Sequence, residues 1–204
     1  MLTIQNFYLY SEKSILLTIP DITFETADFV YIRGTNSTGK SLLLNTMAGK
    51  YQDFKGHIYL KKIPLAEHLK QNNILLLNHQ LPVQKDKTML QNIEIPFGKL
   101  TLKQKQRLIE MATTLNIIEK INHKMVYTST SEKFAMYLVR AALISPTMIL
   151  IDDIDTYFDA ENIQNAIKLF QYCQKSGILT IATGKAHIEN IHSYFIDKGE
   201  VHRL

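Results

Sequence analysis

The sequence predicts an α/β fold, with strands of a largely buried sheet alternating with amphipathic helices. Three observations carry that expectation. Short β-branched and aromatic runs fill the first third of the chain. From about Thr101 the apolar period lengthens to that of helices. Continuous apolar runs then return at residues 148–151 and 178–182, as expected of strands covered on both faces.

Taken in order, Leu2 to Phe7, Ile15 to Ile19, Ile22 to Phe24, Phe29 to Ile32 and His57 to Leu60 read as strands. The last two flank a glycine-containing turn and a helix-forming run that ends at Gly49. Ile74 to Leu77 is short, continuous and apolar, so a strand buried on both faces is expected. Leu108, Ile109, Ala112 and Leu115 fall on one helical face, and Glu132 to Ile144 forms a second helix. After the strand Met148 to Ile151, a helix carries Ile163, Ala166, Ile167, Phe170 and Cys173. Ile178 to Ala182, Tyr194 to Ile196 and Val201 complete the strands. Without repeats or a low-complexity linker, residues 1–204 read as one domain with a helical insertion near residues 81–145.

Composition narrows the function. The chain has 204 residues, 46% of them hydrophobic, enough for one sizeable core. Its formal charge of +4 comes from scattered lysines rather than a basic stripe with interleaved aromatics, which argues against nucleic-acid binding. A single cysteine, Cys173, suits a reducing compartment and a buried thiol. No apolar stretch approaches the length of a bilayer span, and the N-terminus lacks the pattern of a signal peptide. A soluble intracellular protein is expected, reaching a membrane only through a partner.

The stretch "IRGTNSTGKSLLL" matches G-x-x-x-x-G-K-[ST], a pattern that arises by accident in roughly one chain per hundred of this length. Its setting between strand Phe29 to Ile32 and a helix is the one the motif needs. Gly34, Thr35, Asn36, Ser37, Thr38, Gly39, Lys40, Ser41 and Leu42 are therefore expected to cradle phosphate, their backbone N–H groups aided by the helix dipole. Lys40 would reach the β- and γ-phosphates and the Ser41 hydroxyl would hold Mg²⁺. The competing reading is a tight turn with an exposed lysine. Downstream, "MILIDD" is an apolar strand that delivers Asp152, a second candidate Mg²⁺ ligand. A calcium loop through Asp155 and Asp159 is set aside, because its central glycine is missing.

"VRAALISPTMILIDDIDTYFD" resembles the corresponding segment of ATP-binding cassette (ABC) ATPases, and "FIDKGEVHRL" resembles their closing strands. "KTMLQNIEIPF" is similar to a segment of the cell-division and lipoprotein-release branch, the FtsE/LolD type. The GTPase motif N-K-x-D is absent. The resemblance implies a P-loop NTPase with an ABC-type nucleotide-binding domain. An N-terminal antiparallel β subdomain and the helical insertion would flank its core.

It also implies further roles. Asp153 stands where the family has a catalytic glutamate, its carboxylate roughly 1.5 Å short if the backbone is unmoved. His79 aligns with a Mg²⁺- and water-contacting glutamine, which a one-residue shift would restore as Gln80. Residues 128–132 align with the signature loop; Ser129 would meet a phosphate oxygen or cap the following helix with Glu132. Thr130 and Ser131 replace glycines there. Gly184 aligns with the switch histidine, so a histidine placed there is expected to recover a γ-phosphate contact; His187 reads as a surface residue. Asp159 matches the acidic position of a dimer-interface loop, and Tyr10, with Tyr8 as rival, would stack on adenine.

Together these imply a divergent ATP–Mg²⁺-binding subunit with slow or absent hydrolysis, cytoplasmic and peripheral to the inner membrane. Its partner would be a permease-like or FtsX-like subunit docking near His79 to Phe97. Homodimers and heterodimers with another cassette both stay open. The alternatives are a fully active transport or cell-division ATPase with variant motifs, and a non-catalytic scaffold.

Overall fold

Alternation of inward and outward side chains builds the first strand, β1 (Leu2–Ser11), but with one interruption. Leu2, Ile4, Phe7 and Leu9 are all buried, a spacing that needs one extra residue between Ile4 and Phe7. Asn6 supplies it, with φ 48° and its N–H donated to Asp21 Oδ1 at 2.8 Å. The strand opposite accommodates the bulge only through Gly56, where a Cβ would come 2.3 Å from the Asn6 carbonyl oxygen.

The computed structural model describes residues 1–12, 14–25, 29–71, 73–79, 82–188, 191–197 and 199–203, with the side chain of residue 192 excepted. After β1 come β2 (Ser14–Ile19), β3 (Ile22–Phe24), β4 (Phe29–Gly34) and helix α1 (Lys40–Met47). β5 (Phe54–Leu60), β6 (Ile63–Pro64), α2 (Leu65–Lys70) and β7 (Ile74–Leu77) follow. Three helices, α3 (Met89–Glu94), α4 (Leu102–Thr114) and α5 (Thr130–Ile144), precede β8 (Met148–Ile151). The described chain closes with α6 (Ala160–Lys175), β9 (Leu179–Gly184), β10 (His192–Asp197) and β11 (Glu200–Arg203).

All strands join one sheet in the order β6-β5-β1-β2-β11-β10-β4-β9-β8-β7, with β3 also paired to β1. β10, β4, β9, β8 and β7 are mutually parallel. β1, β2, β3, β5 and β6 pair antiparallel. Two cores lie on opposite faces. Ile149 and Ile151 of β8 and Tyr31 of β4 point into the one covered by α3 to α6. Met148 and Leu150, with Val30 and Ile32, point into the one covered by α1 and α2. Burial of both faces explains why β4, β8 and β9 read as unbroken apolar runs.

Two expectations are corrected. β7 packs on both faces, Leu75 and Leu77 towards one core and Ile74 and Leu76 towards the other, but it is not fully buried: Ile74, Leu75 and Leu76 are half-buried and only Leu77 is buried. The strand ends the sheet and pairs with β8 alone, so its outer edge lacks a neighbour among the described residues. On α4 the buried face is Leu108, Met111 and Ala112, whereas Ile109 is 55% exposed. One residue along a helix turns the side chain by about 100°, which carries Ile109 off that face. The short α2 and α3 had no distinct periodic signal. α3, α4 and α5 each begin with a capping box, formed by Thr88 with Gln91, Thr101 with Gln104 and Ser129 with Glu132.

Candidate functional site: a phosphate loop beside paired carboxylates

Strand β4 ends at Gly34, and α1 starts six residues later at Lys40, after Gly39 with φ 93°. Within that turn the Lys40 side chain folds back, Nζ donating to the Gly34 and Thr35 carbonyls at 2.8 Å each. Thr38 Oγ1 also donates to the Thr35 carbonyl, at 3.0 Å. Lys40 is only 5% exposed. Burial lowers its pKa, opposed by the nearby charges of Asp153 and Asp152. The turn borders a cavity of about 330 Å³, lined by residues 36–42 with Ser11, Leu16 and Asp153. The tight turn is real, but its lysine is not exposed.

Tyr10 does not line this cavity, although its neighbour Ser11 does. Register shifts between Leu9 and Tyr10, and the Tyr10 ring lies under the Lys55 ammonium, 5.5 Å away. Its rival Tyr8 is an exposed strand residue, also outside that lining.

β8 brings the carboxylates. Asp152 Oδ1 accepts from Ser41 Oγ at 3.0 Å. It also accepts from Thr183 Oγ1 at 3.0 Å, and that hydroxyl in turn accepts from the Asp153 N–H at 3.0 Å. Thr183 is fully buried, and sequence reasoning missed it. Its only signal was a hydroxyl inside the apolar run "LTIATG". Asp153 adopts a left-handed backbone conformation, φ 47° and ψ 60°, with Oδ1 buried and without a hydrogen-bond partner among the described residues. Burial raises its pKa, as do Asp152 and Asp155, while Lys40 and Lys185 oppose the shift.

The turn after β9 is fixed from three directions. Asp155 Oδ2 accepts from the N–H groups of Lys185 at 2.7 Å and Ala186 at 3.0 Å. The Tyr31 hydroxyl donates to the Ala186 carbonyl at 3.1 Å, and Arg33 Nε donates to that of Lys185 at 3.1 Å. A Cβ at Gly184 would come 2.4 Å from both Asp155 Oδ1 and the Tyr31 hydroxyl. The expectation that a histidine at 184 supplies a phosphate contact is therefore corrected. The space is filled by two side chains that hydrogen-bond to the turn backbone, and substitution would break the turn first. His187 is exposed.

Ser129 lies elsewhere. It caps α5, its Oγ accepting from Glu132 N at 3.2 Å while its N–H donates to Glu132 Oε2 at 2.8 Å. Lys120 pairs with the same Glu132. Ser129, Ser131 and Asp159 border a separate cavity of about 310 Å³. Asp159 caps α6 by accepting from Asn162 N at 2.9 Å. Tyr157 lines that cavity and stacks on Phe134, ring centroids 4.0 Å apart. Burial, then Asp152 and Asp153, raise its phenol pKa. Gln80 lies outside the described residues; His79 is exposed at a small cavity with Lys133, Phe134, Tyr137 and Tyr157.

The donor set fits a nucleotide with Mg²⁺. A serine hydroxyl beside one carboxylate suits a hard cation that takes its other ligands from phosphate and water. Among the described residues no group of three or more His, Cys, Asp or Glu is placed to hold a metal ion.

This strand, loop, helix and acid arrangement is the P-loop NTPase fold in its ABC form. Residues 17–156 match the model of the ABC transporter family, and the chain belongs to that family. It is similar to the tyrosine transport ATP-binding protein of Clostridioides difficile (strain R20291). Identity is 23% over 212 residues, covering 94% of this chain and 84% of that protein. With the tungstate uptake system ATP-binding protein TupC of Peptoclostridium acidaminophilum, identity is 26% over 208 residues, covering 98% and 96%. Its fold is shared with a putative ABC transporter ATP-binding protein from Pyrococcus furiosus, TM-score 0.80 at 17% identity, covering 96% of each chain.

Proposed function

We propose that this chain is the ATP-binding subunit of an ABC transporter, working with a permease-like membrane partner and hydrolysing ATP slowly or not at all. The observation that carries the binding part is one cavity lined by Lys40 and Ser41, with Asp152 hydrogen-bonded to the Ser41 hydroxyl. Gly34 to Leu42 would hold the phosphates, with Lys40 exchanging its two carbonyl partners for phosphate oxygens. Ser41 and Asp152 would hold Mg²⁺, which neutralises phosphate charge when bound. Thr183 keeps the Asp152 carboxylate turned towards Ser41. Single-domain organisation with residues 81–145 as a helical subdomain belongs to the same reading.

Reduced hydrolysis is supported by three features. Asp153 is shorter than a glutamate, Gly184 leaves no side chain at the turn, and Ser129 is committed to its cap. Positioned acid–base groups contribute roughly 10²- to 10⁴-fold each. The rival reading, an active ATPase, is favoured by one observation: Asp153 lines the cavity, and its buried Oδ1 has no hydrogen-bond partner among the described residues. We favour a transport role over cell division, because the relatives above carry transport names and the FtsE/LolD likeness rests on one segment. Among the described residues no helix is long and apolar enough to cross a membrane, which suits attachment through a partner. Thr130 and Ser131 in place of glycines imply weak pairing of the isolated chain, with itself or another cassette.

Thermal melting with Mg²⁺ and ATP tests the site. At 100 times the dissociation constant the ligand adds about 2.7 kcal/mol to stability. Lys40→Ala should remove most of that gain, and equal gains in both proteins would refute the assignment. Phosphate release then separates the two readings. Slow release, little changed in Asp153→Asn, supports the first; brisk release that collapses in the variant supports the second.

A further inference from the structure

We propose that the cavity beside the phosphate loop takes its nucleotide by the triphosphate and by an aliphatic wall, Leu16 with Ser11, and therefore binds adenine and guanine nucleotides with equal affinity. The proposal rests on the ATP-site reading above and deepens it by naming what meets the base. Apart from residues 36–42 and Asp153, Ser11 and Leu16 are the described residues that line the cavity. Both belong to the β1–β2 hairpin, and no aromatic residue among the described ones joins them.

The hairpin sets this wall. Register shifts after Leu9, so Leu9 pairs with Leu17 and Tyr10 with Ile15, leaving Leu16 opposite the irregularity. Successive residues of a strand project to opposite faces. With the Tyr10 ring against Lys55, Ser11 is the residue at the cavity. Tyr10 is held in that position by its backbone. Its N–H donates to the Asp53 carbonyl at 3.0 Å, and its own carbonyl accepts from the Tyr51 hydroxyl at 2.7 Å. Leu16 is half-buried and packs on the loop, its Cδ2 3.3 Å from where a Cβ on Gly39 would stand. Two residues on, the Thr18 N–H donates to the Gly199 carbonyl at 2.7 Å, which ties this strand to β11. A nucleotide whose phosphates lie along the loop therefore presents its base to a branched alkane and one hydroxyl. Telling one purine from the other takes hydrogen-bonding groups fixed at the base edge. Leu16 offers none. The Ser11 hydroxyl can donate or accept, so it suits the 6-amino group of adenine and the 6-oxo group of guanine alike.

The test measures affinities for ATP, GTP and inorganic triphosphate, each with Mg²⁺, by calorimetry on the full chain. ATP and GTP should agree within about five-fold, the worth of one ordinary hydrogen bond. Leu16→Ala should weaken both by at least about four-fold, the worth of one buried methylene, and leave inorganic triphosphate unchanged. Leu16→Met, which keeps an apolar wall, and Tyr10→Ala should both behave as wild type. A wider gap between ATP and GTP, a selective loss of nucleotide affinity in Tyr10→Ala, or unchanged nucleotide affinity in Leu16→Ala overturns the proposal. Each of these leaves the site reading standing, because ATP still binds. A loss in Leu16→Ala that inorganic triphosphate shares would show that Leu16 shapes the loop instead, and overturns the proposal too. If wild type binds none of the three, the site reading falls and the proposal with it.

Discussion

Asp153 combines a left-handed backbone, a buried oxygen without a partner among the described residues and a second carboxylate next door. Each is unfavourable, and such costs gather where function holds a residue in place. Burial first, then Asp152, raises its pKa. A carboxyl raised on folding favours the folded state while protonated. That contribution is complete below its ordinary value, about 4, and is lost as pH rises through the raised one. Asp153→Asn stays neutral, so it should melt a few degrees above wild type at pH 7. The gap should close as pH falls towards the ordinary carboxyl range. A gap of equal size at both ends would mean that the charge is not the cause. At this scale Gly34, Lys40, Ser41 and Asp152 were legible, because a local motif and a strand end announce them. Thr183, Tyr31 and Asp155 were not, since their partners lie 30 or more residues away.

Between β7 and α3 the chain is tied by Asn92, which is fully buried. Its Oδ1 accepts from Gln84 N at 3.0 Å, and its Nδ2 donates to the carbonyls of Gln84 at 3.0 Å and Thr88 at 2.9 Å. Removing that side chain strands backbone groups as well as opening space. Asn92→Ala should cost about 2–4 kcal/mol in urea unfolding. A loss under about 0.5 kcal/mol, the range of an ordinary surface change, would show that water replaces the amide. The start of α5 was legible through Ser129 and Glu132, but this knot was not, because nothing local to Asn92 marks its bonds to Gln84 eight residues back. The sequence also misjudged β7, whose apolar composition is shared by central and edge strands alike.

For the whole molecule, stability should follow the two cores that meet across the parallel strands. Amides of Ile149, Leu150 and Ile181 are sealed by packing on both faces and by strands on both sides. Those of β6 and β7 lie at the two ends of the sheet. Native-state hydrogen exchange should therefore be slowest in β8 and β9, and at least about ten-fold faster in β6 and β7. Uniform protection across the sheet would contradict that gradient.

By itself the sequence determined the α/β class, most strands to within a few residues, and the glycine-bounded turn that starts a helix at Lys40. These depend on short-range patterns: periodicity, β-branching, and glycines at fixed offsets from a lysine. Only the tertiary structure decided which strand lies at the edge. It also turned Tyr10 towards Lys55 rather than the cavity and filled the space at Gly184 with Asp155 and Tyr31. Each of these is a meeting of segments far apart in the chain, and packing and hydrogen bonding choose such meetings only once the sheet has brought the segments together.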